Sequence, residues 1–387
     1  MILLHRKRSI GAANMQVHQK AGDAVRIAPE RLNGFIHDIC RRAGCDDEEA
    51  AAIADHLVDA NLTGHDSHGA CKIPEYVAVM SDGRLKLGQR ARIASDNGAV
   101  VVIDGNLGVG QLVARQAMEI GMERAGRFGV SVIALRRAHH IGRIGAWAEQ
   151  CAAGGFASMH FVNVIGHAPY VAPFGGRDGR QATNPFCAAL PIAGEPPVVL
   201  DMATSKVAWG KLLVAANKGE PAPPEAVIDA DGNASLDPNV MFREPRGAML
   251  PFGEHKGYAL AALCDLMAGA LGGGGCNRPE NSASSTAINN MLSIIIRCDA
   301  LGDPQAIAAE AGAFAAWAKS SRLRPGADEI MLPGEPERAR RAVRQRDGIP
   351  LDRTTWGQLL DTARSVGCPA DEAVLLAASA VPPDRRS

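Results

Sequence analysis

Aromatic residues are scarce: Phe, Trp and Tyr make up only 4% of the 387-residue chain. Packing must therefore lean on aliphatic side chains and on close backbone approaches at the 42 glycines. Neither sign of charge is in excess, with 41 Lys and Arg against 42 Asp and Glu, a formal net charge of -1. Nucleic-acid binders usually carry a basic excess or stripe, so no nucleic-acid partner is expected. No apolar run approaches the ~20 residues needed to span a bilayer, so no membrane role is expected. Arg6, Lys7 and Arg8 are not followed by an apolar stretch, and residues 1–26 read as a polar extension rather than a secretory signal. Cys40, Cys45, Cys71, Cys151, Cys187, Cys264, Cys276, Cys298 and Cys368 form no C-x-x-C pair, and an odd number cannot all pair within one chain. Free thiols in a reducing cytoplasm are the expectation.

The usual nucleotide signatures are missing too. A G-x-G-x-x-G turn after a strand would seat a pyrophosphate on a helix N-terminus. Gly108-Val109-Gly110-Gln111-Leu112-Val113 comes nearest but lacks the third small residue. Gly272 to Gly275 follows a helical pattern and reads as a C-cap and loop. There is no Walker A sequence, no H-E-x-x-H, no expected metal site and no internal repeat.

What is present is an ordinary globular balance, 47% apolar and 21% charged, in a chain long enough for two or three domains. From Pro29 to Val77 the apolar spacing is helical, with Asp46 and Asp47 as N-caps. Short strand patterns follow at Ala99 to Ile103, Val130 to Leu135, Ala157 to Val162 and Val198 to Leu200, with Ser293 to Ile296 the last clear one. Helical patterns lie after Gly110 and over 205–216, 256–271, 304–320, 336–346 and 355–366. Gly219 to Asn239 and Gly272 to Ser285 read as linkers. The order predicts an α/β chain: a sheet domain over 89–299 and a helical domain built from both ends, 27–88 and 300–380.

Five compact clusters of polar residues and glycines sit at the ends of these elements. They are Asp66-Ser67-His68-Gly69 with Lys72 and Tyr76 downstream; His139-His140-Ile141-Gly142-Arg143; Pro173-Phe174-Gly175-Gly176 leading to Thr183-Asn184-Pro185; Asp201-Met202-Ala203-Thr204-Ser205; and Pro251 through Tyr258. Loops of this kind on a rigid scaffold are where binding chemistry concentrates, and five point to an extended ligand site.

With Pro333-Gly334-Glu335-Pro336-Glu337, these clusters resemble, in order and spacing over about residues 30 to 370, the malate/L-lactate/ureidoglycolate dehydrogenase family. His140-Ile141-Gly142-Arg143-Ile144-Gly145 followed by His160-Phe161-Val162-Asn163 resembles its hydroxycarboxylate dehydrogenase branch. The resemblance implies a homodimer that binds NAD or NADP in a non-Rossmann, mostly antiparallel sheet domain and oxidises a 2-hydroxy acid. It also leaves open the reduction of a cyclic imine, such as a piperideine or pyrroline carboxylate, or an inactive ligand-binding relative.

The resemblance implies His140 as the proton-transfer residue, and imidazole suits that task because it exchanges a proton near neutrality. His139 is expected to point elsewhere and be structural. Ser67 and His68 match catalytic positions, the alternative being a cap on a turn. Tyr76 matches a substrate-binding tyrosine. A substrate carboxylate needs a cation. Lys72 stands where many relatives have Arg, and Arg143 is the second candidate, favoured for its planar fork. Further departures are Arg137-Ala138 before the histidine pair and Ala182 before Thr183. Asn163, Asn184, Asp201, Met202, Ala203, Lys256, Gly334 and Glu335 match cofactor positions. Thr204 and Ser205 either join them or N-cap the next helix.

Overall fold

The computed structural model describes residues 24–372 and Leu375, the side chains of 217 and 218 excepted. Its centre is a seven-stranded sheet of β2 (Arg92–Asn97), β3 (Val100–Asp104), β4 (Val130–His139), β5 (Phe156–Ile165), β6 (Phe186–Ile192), β7 (Glu195–Met202) and β11 (Ile288–Arg297). The spatial order is β2-β3-β4-β11-β5-β6-β7, and every neighbouring pair is antiparallel except β3 with β4. A parallel pair needs a crossover, and α4 (Gly110–Phe128) supplies it. The chain is therefore mixed α/β around a mostly antiparallel sheet.

Alternate residues of the strands face α4 and α5 (Gly145–Ala153). Ile133, Leu135, Val162, Met291 and Ile295 form one core with Val113, Ala117 and Met118 of α4 and Trp147 and Cys151 of α5. Each such aliphatic side chain contributes roughly 1.5–3 kcal/mol on burial. On the other face of β5 to β7, Leu190 and Leu200 are exposed, and Met159 and Val198 line a shallow apolar depression with them.

A second core joins both ends of the chain. It holds α1 (Pro29–Arg42), α2 (Asp47–Leu62), α3 (Ile73–Ser81) and α10 (Arg353–Ser365), with β1 (Ala24–Ile27) paired antiparallel to β12 (Ile349–Asp352). Leu32, Ile36, Ile53, Leu57 and Ile73 pack there with Ile349, Leu351, Trp356 and Leu359. Asp46 caps α2 in a reciprocal box with Glu49, which sets where that helix starts.

Four sequence expectations need correction. The last strand is β12 rather than β11; four residues containing Pro350 are too short to show a period. Residues 24–26, read as part of the polar extension, belong to β1, while 1–23 lie outside the described residues. The 219–239 stretch is not a bare linker. It contributes β8 (Val227–Ile228) and β9 (Ala234–Ser235) to a small sheet with β10 (Ala248–Met249), over a core of Val207, Leu212, Val227 and Met249. The α6 helix (Trp209–Lys218) adjoins it. Finally, α8 (Pro304–Lys319) leaves the helical layer and lies against β6, with Phe314 and Trp317 exposed. The two remaining helices are α7 (His255–Asp265), extended by a π turn, and α9 (Glu335–Asp347), which reaches back to α2.

Candidate active site

The end of β4 is bent where the site begins. Arg137 has φ 55°, and the pairing with β11 slips between Asn289 and Met291. A bulge of this kind re-aims the residues that follow. Asn290 Oδ1 accepts the Arg137 N–H, and Asn289 Oδ1 accepts the Ile141 N–H, so the chain is fastened on both sides of the histidine pair. The start of α4 comes in close: a Cβ at Gly110 would sit 2.2 Å from the His140 carbonyl oxygen, so only glycine fits. Gly110 thus permits helix and strand to touch, and a Cβ at Gly108 would lie 2.6 Å from the Gln89 side chain, so both glycines have reasons that need no phosphate.

His140 is half-buried, with Nδ1 2.6 Å from the Tyr76 hydroxyl, and Tyr76 also accepts a bond from Gln111 Nε2 at 2.8 Å. His140 Nε2 has no hydrogen bond among the described residues. The His68 ring stacks on His140 at 5.3 Å between centroids, and its buried Nδ1 has no hydrogen-bond partner among the described residues. Burial, aided by the positive charge of Lys72, pushes His140 well below the usual 6.5 and His68 to about 3. Burial also drives Tyr76 well above its usual 10, keeping its hydroxyl protonated. His139 points away into the interior, where Nε2 meets Thr286 Oγ1 at 2.8 Å, in keeping with a structural role. His160 lies buried between two serines, His167 stacks on Tyr170, and His255 is exposed against Phe174.

The turn that carries Ser67 and His68 is clamped. Asp66–His68 forms one 3-10 turn and Ala70–Lys72 another. Asn61 donates to Asp66 and accepts from the Ala70 N–H, while Arg344 of α9 holds both Asp66 oxygens.

Arg143 departs from its expected place. Its side chain is 1% exposed, and its fork is spent on Glu149, at 3.2 and 2.5 Å, and Asp59, at 2.7 Å. Burial opposes its charge, but Glu149 and Asp59 outweigh that and raise its pKa. Asp59 is shared with Arg341 of α9. The Arg143 N–H donates to His56 Nε2, an approach that Gly142 permits, since a Cβ there would lie 2.1 Å from that nitrogen. A guanidinium already paired with two carboxylates has no free fork for a substrate. Lys72 is a cation whose charge acts on His140, and its one ion pair among the described residues is with Glu75 at 3.0 Å, three positions on.

The cofactor candidates divide in two. Asn163 and Asn184 are fully buried, and their amides are spent on protein partners: Asn163 on Asp265 and the Gly275 carbonyl, Asn184 on the Val164 N–H and the Ala261 carbonyl. They hold the backbone in shape. Thr204 caps nothing; its hydroxyl donates to the Thr183 and Asn184 carbonyls, and Ser205 bonds the Val207 carbonyl. These bonds, with Phe252 N–H to the Thr204 carbonyl, stitch the 183–185, 201–205 and 251–257 loops together. Asp201, Met202 and Ala203 stay partly open, and Asp201 uses one oxygen on the Gly145 N–H. Lys256 is exposed and makes no ion pair among the described residues. Gly334 and Glu335 lie beside β7, where the Pro333 carbonyl accepts the Val199 N–H. Burial lowers the pKa of His65, against Asp201 and Glu337, which both raise it.

A nicotinamide dinucleotide fits these groups. The unpartnered His68 Nδ1, the second Asp201 oxygen and the free Lys256 ammonium offer partners to a carboxamide, a ribose hydroxyl and a phosphate. Sequence reasoning missed Gln111, His56, Asp59, Glu149 and Asn289, because nothing in their local spacing marks them.

A sequence model of the malate/L-lactate dehydrogenase family matches residues 27–360. The chain belongs to this family. It is 46% identical over 350 residues to hydroxycarboxylate dehydrogenase B of Escherichia coli O157:H7, covering 89% of this chain and 96% of that protein. Among solved structures it is similar to a malate dehydrogenase from Pyrococcus horikoshii OT3 (TM-score 0.81, 28% identity, 90% of this chain and 97% of that one). It is also similar to a Δ1-piperideine-2-carboxylate reductase from Pseudomonas syringae pvar. tomato (TM-score 0.75, 27% identity, 87% and 99%). Family membership accords with the missing dinucleotide fingerprint and with the antiparallel sheet.

Proposed function

We propose that the protein is an NAD- or NADP-dependent 2-hydroxyacid dehydrogenase with His140 as proton acceptor and donor. The observation that carries this reading is one imidazole with Nδ1 held by Tyr76 and Nε2 left without a partner among the described residues, with the charge of Lys72 acting on it. When bound, the nicotinamide ring supplies the acceptor or donor of hydride. In oxidation, His140 Nε2 takes the hydroxyl proton while hydride leaves C2 and the C–O bond becomes a carbonyl. In reduction, Nε2 returns the proton to that oxygen. Tyr76 keeps the ring oriented throughout, because a hydroxyl can donate to Nδ1 or accept from it.

Lys72 is the carboxylate anchor in this reading. Its bond to Glu75 is a partly exposed pairing of about 0.2–0.5 kcal/mol, which a substrate displaces readily. The incoming carboxylate also raises the proton affinity of His140 by setting a negative charge near it. Ser67 and His68 face the reacting groups, and His68 Nδ1 gains the partner it lacks. Asp201, Met202, Ala203, Lys256, Gly334 and Glu335 line the dinucleotide, while Asn163 and Asn184 support it through the backbone. The uncovered apolar face at Leu190 and Leu200 supports a homodimer, and nine unpaired cysteines support a reducing cytoplasm.

The test is a panel of pyruvate, oxaloacetate, 2-oxoglutarate, phenylpyruvate and a cyclic imino acid, each with NADH and NADPH. Oxidation of either cofactor by an oxo acid is expected. Turnover of the imine alone moves the reading to imine reduction, and no turnover with intact cofactor binding moves it to an inactive relative.

A further inference from the structure

The buried amide of Gln111 has no part in the reading above, yet it is one hydrogen bond from the hydroxyl that holds His140. Gln111 occupies the second position of α4, which the glycines before it bring against the end of β4. Among the described residues the Tyr76 hydroxyl has two partners, Gln111 Nε2 at 2.8 Å and His140 Nδ1 at 2.6 Å. An amide NH₂ only donates, so the single phenolic proton has one acceptor left, Nδ1. That places the proton of neutral His140 on Nε2, facing the substrate as a donor. The opposite arrangement, a bare Nε2 ready to accept a proton, puts the proton on Nδ1. Tyr76 then accepts from Nδ1 and must send its own proton to Gln111, whose amide has to present Oε1 instead.

We propose that Gln111 is a positioning residue that sets, through Tyr76, which nitrogen of His140 carries the proton. The turn of its amide is the step that separates the resting Nε2–H ring, which has no lone pair for the hydroxyl proton, from the Nδ1–H ring, whose bare Nε2 takes that proton in oxidation and, as the imidazolium, returns it in reduction. Only the N–H bonds of the ring exchange: Nε2 gives one proton to solvent as Nδ1 takes one from it, and Tyr76 stays a neutral phenol that turns its O–H from Nδ1 to Gln111 Oε1. The other groups facing His140 are Lys72 and His68 on the two 3-10 turns, His56 on α2 and its neighbour His139. All four oppose a positive charge there, and none touches Nδ1.

The proposal rests on the dehydrogenase reading for its meaning but not for its test. ¹⁵N-histidine NMR of the full chain without ligands reports the tautomer of each ring directly, with His140→Ala assigning the resonance. The wild-type ring is expected as the Nε2–H tautomer. Gln111→Glu, an acceptor only when ionised, is expected to convert it to Nδ1–H and to raise its titration midpoint by about one pH unit or more. Gln111→Met, which neither donates nor accepts strongly, is expected to give a mixture of the two tautomers and covers the case in which the glutamate variant does not fold. If the Nε2–H form and its midpoint persist in both variants, Gln111 does not set the proton and the proposal fails, whatever the enzyme turns over.

Discussion

His160 and His140 both lie in or just after strands of the same sheet, and burial lowers the pKa of both, yet they are held in opposite ways. On β5, His160 has Nδ1 against Ser293 Oγ at 2.8 Å and Nε2 against Ser158 Oγ at 2.9 Å, inside the α5-facing core. At the junction of the two cores, His140 has one nitrogen held and one without a partner among the described residues. A buried ring with both nitrogens satisfied contributes packing and hydrogen bonds, and cannot take a ligand proton without breaking one of them. Burial therefore does not distinguish the two rings; the nitrogen without a partner among the described residues does.

The comparison breaks most readily at His140. His140→Ala is expected to lower kcat by about 10²–10⁴-fold while leaving dinucleotide affinity nearly unchanged, as removal of a general acid–base group does. His160→Ala should do the reverse, lowering Tm and leaving kcat per folded molecule close to wild type; steady-state kinetics beside thermal scans read both. A larger kcat loss at His160 would invert the assignment.

The two cations sharpen the contrast in the same way. Lys72→Gln should raise KM for the oxo acid by about 10–100-fold, the loss of a charged hydrogen bond worth ~1.5–3 kcal/mol. Arg143→Gln should act on stability, by about 2–3 kcal/mol in urea unfolding, since it strands Glu149 and leaves Asp59 to Arg341 alone, both carboxylates being about a third exposed. A KM rise confined to the Arg143 variant, with Lys72→Gln silent, would return the anchor to Arg143.

The last effect is collective. Burial holds His56, His68 and His160 each to about 3, whereas an unfolded histidine takes a proton near ~6.5. Between those values the unfolded chain binds more protons than the folded one, so stability is full above about pH 6.5 and falls as pH drops toward about 3. Thermal scans across that window should show Tm declining, and a level Tm would mean that the buried rings are already charged.

Much of the candidate site was legible in the chain because the residues proposed for it lie in contiguous words: Ser67-His68-Gly69, His140-Ile141-Gly142 and Lys256-Gly257-Tyr258. The strands of the central sheet were legible where β-branched residues ran together, as at Ser293 to Ile296. Partners that meet only in space were not. Arg143 stands three residues from His140, but the turn at Gly142 sends its side chain inward to Asp59, 84 positions away. Gln111 hid inside a failed phosphate-loop pattern whose Gly110 serves helix–strand contact. Likewise β1 and β12 are four-residue strands, too short for a period, that find each other only when the two chain ends meet.

A crystal structure of the full chain with dinucleotide and a 2-oxo acid tests the central claim most directly. The account predicts the C2 oxygen within about 2.6–3.2 Å of His140 Nε2. It also places the substrate carboxylate on Lys72, with Arg143 still closed on Asp59 and Glu149. A substrate oxygen resting on another group, with His140 Nε2 left unpaired, would contradict it.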